Sequence, residues 1–167
     1  ARAPAPVTVD GRLDDEAWAS VTPFADFTQR DPEEGQPATE RTELRLLYDD
    51  DALYVGARLL DAEPDRIVKR LSRRDESAEA DRFSLYLDPR RDRRTGVRFE
   101  VSAAGVQNDE IIYNDTWMDD SWDAVWLSAV HHDDQGWSVE MRIPFSELRF
   151  LPGDSQTWGV NASRVIQ

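Results

Sequence analysis

In "GWSVEMRIPF" apolar and polar residues alternate, and this two-residue period recurs along the chain in short runs. Period two is the mark of a strand with one face toward a core and the other toward solvent. The runs predict strands over 42–48, 53–60, 82–88, 97–103 and 158–166, with a further pair inside "DAVWLSAVHHDDQGWSVEMRIPF". Turn chemistry separates them: Asp49-Asp50-Asp51, the arginine-rich stretch from Pro89 to Gly96, and "DDQG". Helix signals are few. "LDDEAWASV" predicts a short helix capped by Asp14, and "PFSEL" a single turn, while Asp65 to Arg74 reads equally as a turn of helix or an edge strand. The expected class is therefore all-β, an antiparallel, jelly-roll-like β-sandwich with one or two short helices.

Phase sorts the side chains. Leu53, Val55, Ala57 and Leu59 share one face; so do Phe83, Leu85 and Leu87, and likewise Val97, Phe99 and Val101. Val125, Leu127 and Ala129, then Trp137, Val139, Met141 and Ile143, and finally Trp158 and Val160 complete the expected core face. The opposite phase carries Arg58, Tyr86, Arg98, Glu100, Trp126, Glu140, Arg142 and Asn161. Solvated cross-strand ion pairs account for most of such a face. Trp126 stands out there, because a large aromatic in a polar phase needs a sugar ring or a loop to cover it.

The 167 residues fit one domain, taken as 1–167 and expected to be cut from a longer protein. The start, "ARAPAPVTVDG", has no charged-then-apolar signal pattern. A net charge of −14 argues against nucleic acid and against direct membrane insertion, and no apolar run is long enough to span a bilayer. With no cysteine, zinc–thiolate sites and thiol nucleophiles are excluded.

Chemistry concentrates in "NDTWMDDSWDAVWL", Asn114 to Leu127, with three tryptophans and four aspartates. Aromatic faces stack on the C–H faces of sugars, and carboxylates and amides accept hydroxyl protons. Trp126, Trp117 and Trp122, with Asn114 beside them and Glu100, Arg98, Tyr86 and Asn161 on the polar phase, are thus the candidate ligand-binding residues. The alternative is that one or more of the tryptophans plug the end of a sandwich. Asp109, Glu110, Asp115, Asp119, Asp120 and Asp123 form a run without a basic residue, and Asp115, Asp119 and Asp120 are its candidate ligands for a structural calcium ion, although the spacing fits no EF-hand. No cofactor is expected to be required. Met118, Met141, His131 and His132 could in principle ligate haem, but no pairing among them is evident. No carboxylate pair carries a catalytic signature, so the chain is read as non-enzymatic.

Five segments in order, "VTVDGRLDDEAWASV", "LRLLYDDDALYVGARLLD", "DRFSLYLDPRRDRRTGVRFEVSAAG", "WSVEMRIPFSEL" and "WGVNASRV", resemble the carbohydrate-binding module family 9 domain. The nearest likeness is to the version at the N-terminus of large bacterial outer-membrane-associated proteins, where a long β-barrel segment follows. The resemblance implies a β-sandwich, an extracytoplasmic (periplasmic or cell-surface) location, and a non-catalytic module that takes a neutral glycan or oligosaccharide. It implies also a sugar held between two tryptophans above polar side chains. Here "RRDESAEA" stands where the first tryptophan belongs, and the second would follow Gln167. Ser84 takes the place of the family's carboxylate, and Glu100 and Ser102 the places of its arginine and asparagine. The runner-up reading is a ligand-free structural domain docking on a neighbouring domain of the same protein.

Overall fold

A computed structural model of the chain describes residues 1–167 apart from Ser77, Asp115 and Asp154. Among the described residues the strands are β1 (Thr42–Tyr48), β2 (Ala52–Leu60), β3 (Arg82–Asp88), β4 (Gly96–Ser102), β5 (Gln107–Tyr113), β6 (Trp117–Asp119), β7 (Leu127–Asp133), β8 (Gly136–Pro144) and β9 (Gly159–Val165). They form a four-stranded sheet in the order β1-β2-β8-β7 and a five-stranded sheet in the order β6-β5-β4-β3-β9. The class is the expected all-β antiparallel sandwich. The chain divides into two units, Ala1–Ile67 with Leu127–Arg142, and Val68–Trp126 with Ile143–Gln167.

The first unit holds the four-stranded sheet. Val55, Ala57, Leu59, Trp137, Val139 and Met141 are buried, as their phase predicts. The opposite face is covered as well. A short helix α1 (Glu16–Ala19) and its flanks lie on it, and Trp18, Leu47, Tyr54 and Ala17 form a buried cluster joined by Val7, Leu13 and Val21. Gly56 belongs to this packing: a Cβ there would stand 2.6 Å from the Leu13 side chain and 3.0 Å from the Trp18 ring. Hence Glu140, expected on a solvated face, is 1% exposed. It accepts hydrogen bonds from Asp10 N (2.9 Å), Gly11 N (2.7 Å) and Trp18 Nε1 (2.7 Å). Burial pushes its carboxyl above the ordinary value of 4.5, although these three donors pull it down. Gly11 sits so near β7 that a Cβ would stand 2.6 Å from the Val130 carbonyl carbon, and its φ of +90° suits glycine alone. The helix is not capped by Asp14. Asp15 occupies the cap, and its carboxylate accepts Thr8 N at 2.7 Å, tying down the segment before the helix.

The second unit holds the five-stranded sheet, with Phe83, Leu85, Leu87, Phe99 and Val101 buried. β3 pairs with β4 from Arg82↔Ser102 to Leu87↔Val97 and with β9 from Arg82↔Val165 to Asp88↔Gly159. Strands β5 and β6 were not foreseen, and Asp65 to Arg74 contains only a 3-10 turn at Pro64–Arg66. "PFSEL" forms its expected turn, Phe145–Glu147. Val160, placed in the core phase by alternation, is 47% exposed on the edge strand β9.

Candidate functional site

Register decides which residues can meet. Cross-strand partners share a face, so Arg98 lies beside Glu110 of β5 and Tyr86 of β3, and Tyr86 beside Asn161 of β9. The adjacent row runs Asn108, Glu100, Ser84, Ser163. Four predicted residues, Arg98, Glu100, Tyr86 and Asn161, therefore do share one face of the five-stranded sheet.

The tryptophans do not. Trp117 pairs with Tyr113, on the same side as Asp109 and Phe99, which is the opposite face. Trp122 and Trp126 set their ring edges against Phe99, at centroid distances of 5.8 and 5.2 Å. Trp126 is 4% exposed, and the expectation of an open ring on a polar strand face is corrected. The cause is local. Residues 123–126 are outside any strand, so alternation does not apply there, and Val125 is 75% exposed in its stead. The Trp126 indole donates to Asp109 Oδ1 at 3.1 Å, and Ala124 N donates to Asp109 Oδ2 at 2.6 Å. Trp122 is half-buried; Trp117 is 73% exposed. Asn114 has a φ of 47° in the β5–β6 turn, a conformation asparagine tolerates better than most residues, so its first role is turn geometry.

On the polar face Glu100 is the hub. Ser84 Oγ donates to it at 2.7 Å and Asn108 Nδ2 at 3.0 Å, while Arg82 Nε lies 3.6 Å and Arg98 Nη2 3.9 Å away. Arg98 also donates to Glu110 at 3.1 Å. Burial holds the Glu110 carboxyl above its ordinary range, against the pull of Arg98 and with the Glu100 charge adding to the rise. Asn108 Oδ1, Arg98 Nε and Glu110 Oε2 are buried with no hydrogen-bond partner among the described residues. Buried polar atoms are normally satisfied, so such atoms mark places for water or a ligand hydroxyl. Beside them a cleft is lined by Arg70, Ser72, Glu76, Arg82, Glu100 and Asn108. Arg82 and Asn108 are absent from the sequence expectation, and Glu110 enters it only as part of the acidic run, not as a member of this face. The first starts β3 in the same phase as Ser84, a visible signal; the other two belong to the unforeseen β5.

Of the expected calcium ligands only two lie among the described residues. Asp115 lies outside the described residues, Asp119 accepts hydrogen bonds from Tyr113 Oη and Ser121 N and Oγ, and Asp120 is exposed. Asp109 and Asp123 of the same acidic run converge with Asp75. Arg74 supplies the positive charge there, its guanidinium pairing with Asp109, with Asp123 at 3.1 Å and with Asp75 at 3.3 Å. Of the residues with haem-ligating side chains, Met141 is fully buried and His132 stacks on Trp137.

The polar face offers donors and acceptors for hydroxyl groups. The family model described as carbohydrate family 9 binding domain-like matches residues 9–164, and the chain belongs to that family. Two solved structures of a family 9 carbohydrate-binding module from Caldicellulosiruptor kristjanssonii share its fold. One, in complex with cellotriose, is 20% identical with a TM-score of 0.67, covering 95% of this chain and 71% of that one. The other, in complex with glucose, is 21% identical with a TM-score of 0.68, covering 96% and 74%. A candidate carbohydrate-binding protein from Bacteroides uniformis is 13% identical with a TM-score of 0.68, covering 93% and 77%. No curated protein matches the chain. No helix among the described residues is long and apolar enough to cross a membrane.

Proposed function

We propose that this chain is a non-catalytic carbohydrate-binding module of a larger extracytoplasmic bacterial protein, and that a neutral sugar docks on the polar face of its five-stranded sheet. The observation that carries the reading is the Glu100 cluster. A buried carboxylate is held there by Ser84, Asn108 and Arg82, next to a polar cleft and to buried atoms without partners. Sugar hydroxyls both donate and accept, which suits an array of carboxylate, amide and guanidinium groups. On this reading hydrogen bonding rather than tryptophan stacking dominates, since Trp117, the exposed member of the trio, faces the other side of the sheet.

Calorimetry with glucose and cellotriose tests this, using Arg82→Ala and Trp117→Ala. The expected result is loss of binding on removing Arg82 and unchanged affinity on removing Trp117; the reverse pattern would assign the sugar to the aromatic side.

The second reading is docking against a neighbouring domain. It is favoured by Trp117 and Met118, 73% and 52% exposed on one short edge strand, where a partner would cover them.

A further inference from the structure

The turn between β3 and β4 is out of character for so acidic a chain. Arg90, Arg91, Arg93 and Arg94, with Asp92 among them, stand exposed at the tip of the hairpin. Two carboxylates organise it from within. Asp88 accepts the backbone N–H groups of Arg90 (3.2 Å), Asp92 (3.3 Å) and Arg93 (2.8 Å). Asp92 accepts Arg94 N (2.8 Å), Thr95 N (2.7 Å) and Thr95 Oγ1 (2.7 Å). The hydroxyl of Thr95 holds the Asp92 carboxyl below its ordinary value, with Arg90 adding a smaller Coulomb pull. Both acids are thus occupied with the backbone, and among the described residues none of the four guanidiniums has a hydrogen-bond or ion-pair partner.

Backbone conformation adds a second, independent observation. Arg91 and Arg93 have φ of 54° and 57°, the left-handed region in which glycine is the low-cost residue. Arginine there adds strain that the turn does not need, and strained backbone clusters where a side chain has a task. The hydrogen-bonded turn backbone fixes where the four side chains start, and each guanidinium is a planar fork suited to a bidentate carboxylate.

We propose that the Arg90–Arg94 tip is a docking site for an acidic polysaccharide, a linear glycan carrying carboxylates at regular intervals. The choice of a glycan rests on the carbohydrate reading above; the choice of an anionic one rests on the tip alone. The net charge of −14 opposes any polyanion at long range. At physiological salt, however, screening over about 8 Å leaves the local field of the tip to decide. The Glu100 cleft opens near Arg82, at the far end of β3, six residues and roughly 20 Å from Asp88, so one glycan chain has room to span both.

The test uses the whole chain with polygalacturonate as probe, in affinity electrophoresis and calorimetry, with cellotriose, phosphatidylglycerol vesicles and duplex DNA in parallel. The proposal expects polygalacturonate to bind, to weaken by about tenfold between roughly 150 and 500 mM NaCl, and to be lost when all four arginines become glutamine. Replacing Arg91→Gly and Arg93→Gly together is expected to raise Tm while weakening polygalacturonate binding, a combination a purely structural turn would not give. Unchanged binding in either variant, or stronger capture by vesicles or DNA than by polygalacturonate, overturns it. Retained polygalacturonate binding with no cellotriose binding supports the tip while removing the polar-face reading.

Discussion

Trp126 donates its indole N–H to Asp109 at 3.1 Å, and both side chains are buried, at 4% and 0% exposed. A tryptophan that satisfies a buried carboxylate is part of the interior. Trp126→Ala is expected to destabilise the chain by about 3–5 kcal/mol, from the lost contact with Phe99 and the cavity left behind. Trp126→Phe keeps most of the ring but leaves Asp109 one donor short, costing about 1–3 kcal/mol. Denaturant titration measures both, and neither change is expected to alter sugar affinity in the folded protein.

Arg74 is the counter-charge of Asp109, Asp75 and Asp123. Arg74→Ala leaves a buried carboxylate unpaired, at a cost of about 3 kcal/mol. A divalent ion can then take the vacated place. Millimolar calcium is expected to raise the Tm of the Arg74→Ala chain and leave that of the parent unchanged, since only binding to the folded state stabilises it. A parent Tm that falls when chelator is added would point instead to the Asp119–Asp120 loop as a metal site.

Glu140 gives the chain a pH dependence of definite sign. Its folded pKa is raised above 4.5 by burial. The stability it contributes is therefore fully present below the unfolded value and is lost as pH rises through the folded one. Glu140→Gln does not titrate, and it sets an amide N–H against one of the three donors that now point at the carboxylate. The variant is expected to be less stable throughout, with a deficit that narrows as pH rises from about 4 toward neutrality. Melting curves of both proteins across that range read it directly, and a widening gap would contradict the assignment.

Gly56→Ala tests whether the second face of β2 is truly interior. The added methyl meets Leu13 and Trp18 at 2.6 and 3.0 Å. Overpacking of this kind costs about 1–3 kcal/mol. Thermal unfolding that matches the parent would mean that the segment before β1 lies loosely on the sheet.

Alternation revealed strands even where both faces are covered, as in β2 and β8, and it failed where an inward position is itself charged, as in β5. β1 and β3 were read to the residue, since Leu85 and Leu87 face inward and Tyr86 and Asp88 do not. β5 was missed because Asp109 occupies a buried position, so "QNDEIIY" does not look half-apolar. Placing an acid there depends on Arg74 and Trp126, both remote in sequence. The covered face of β2 was equally hidden, because what covers it is a segment around Trp18 with little regular structure. For the site, phase alone brought Arg98, Glu100, Tyr86 and Asn161 onto one face. Joining the tryptophans to them fails for two reasons: the register of β5 and β6 sends Trp117 to the other side, and Trp122 and Trp126, outside any strand, pack on Phe99 there.

The segment from Val7 to Val21, looped over the four-stranded sheet and pinned to Glu140, sets a practical boundary for anyone handling this domain. Shortening it to begin at residue 22 would strip Tyr54 and Gly56 of their cover and leave Glu140 without its three donors. Such a fragment keeps every strand yet invites aggregation through the bared sheet face. An affinity tag or protease site inserted within the same stretch carries that hazard too.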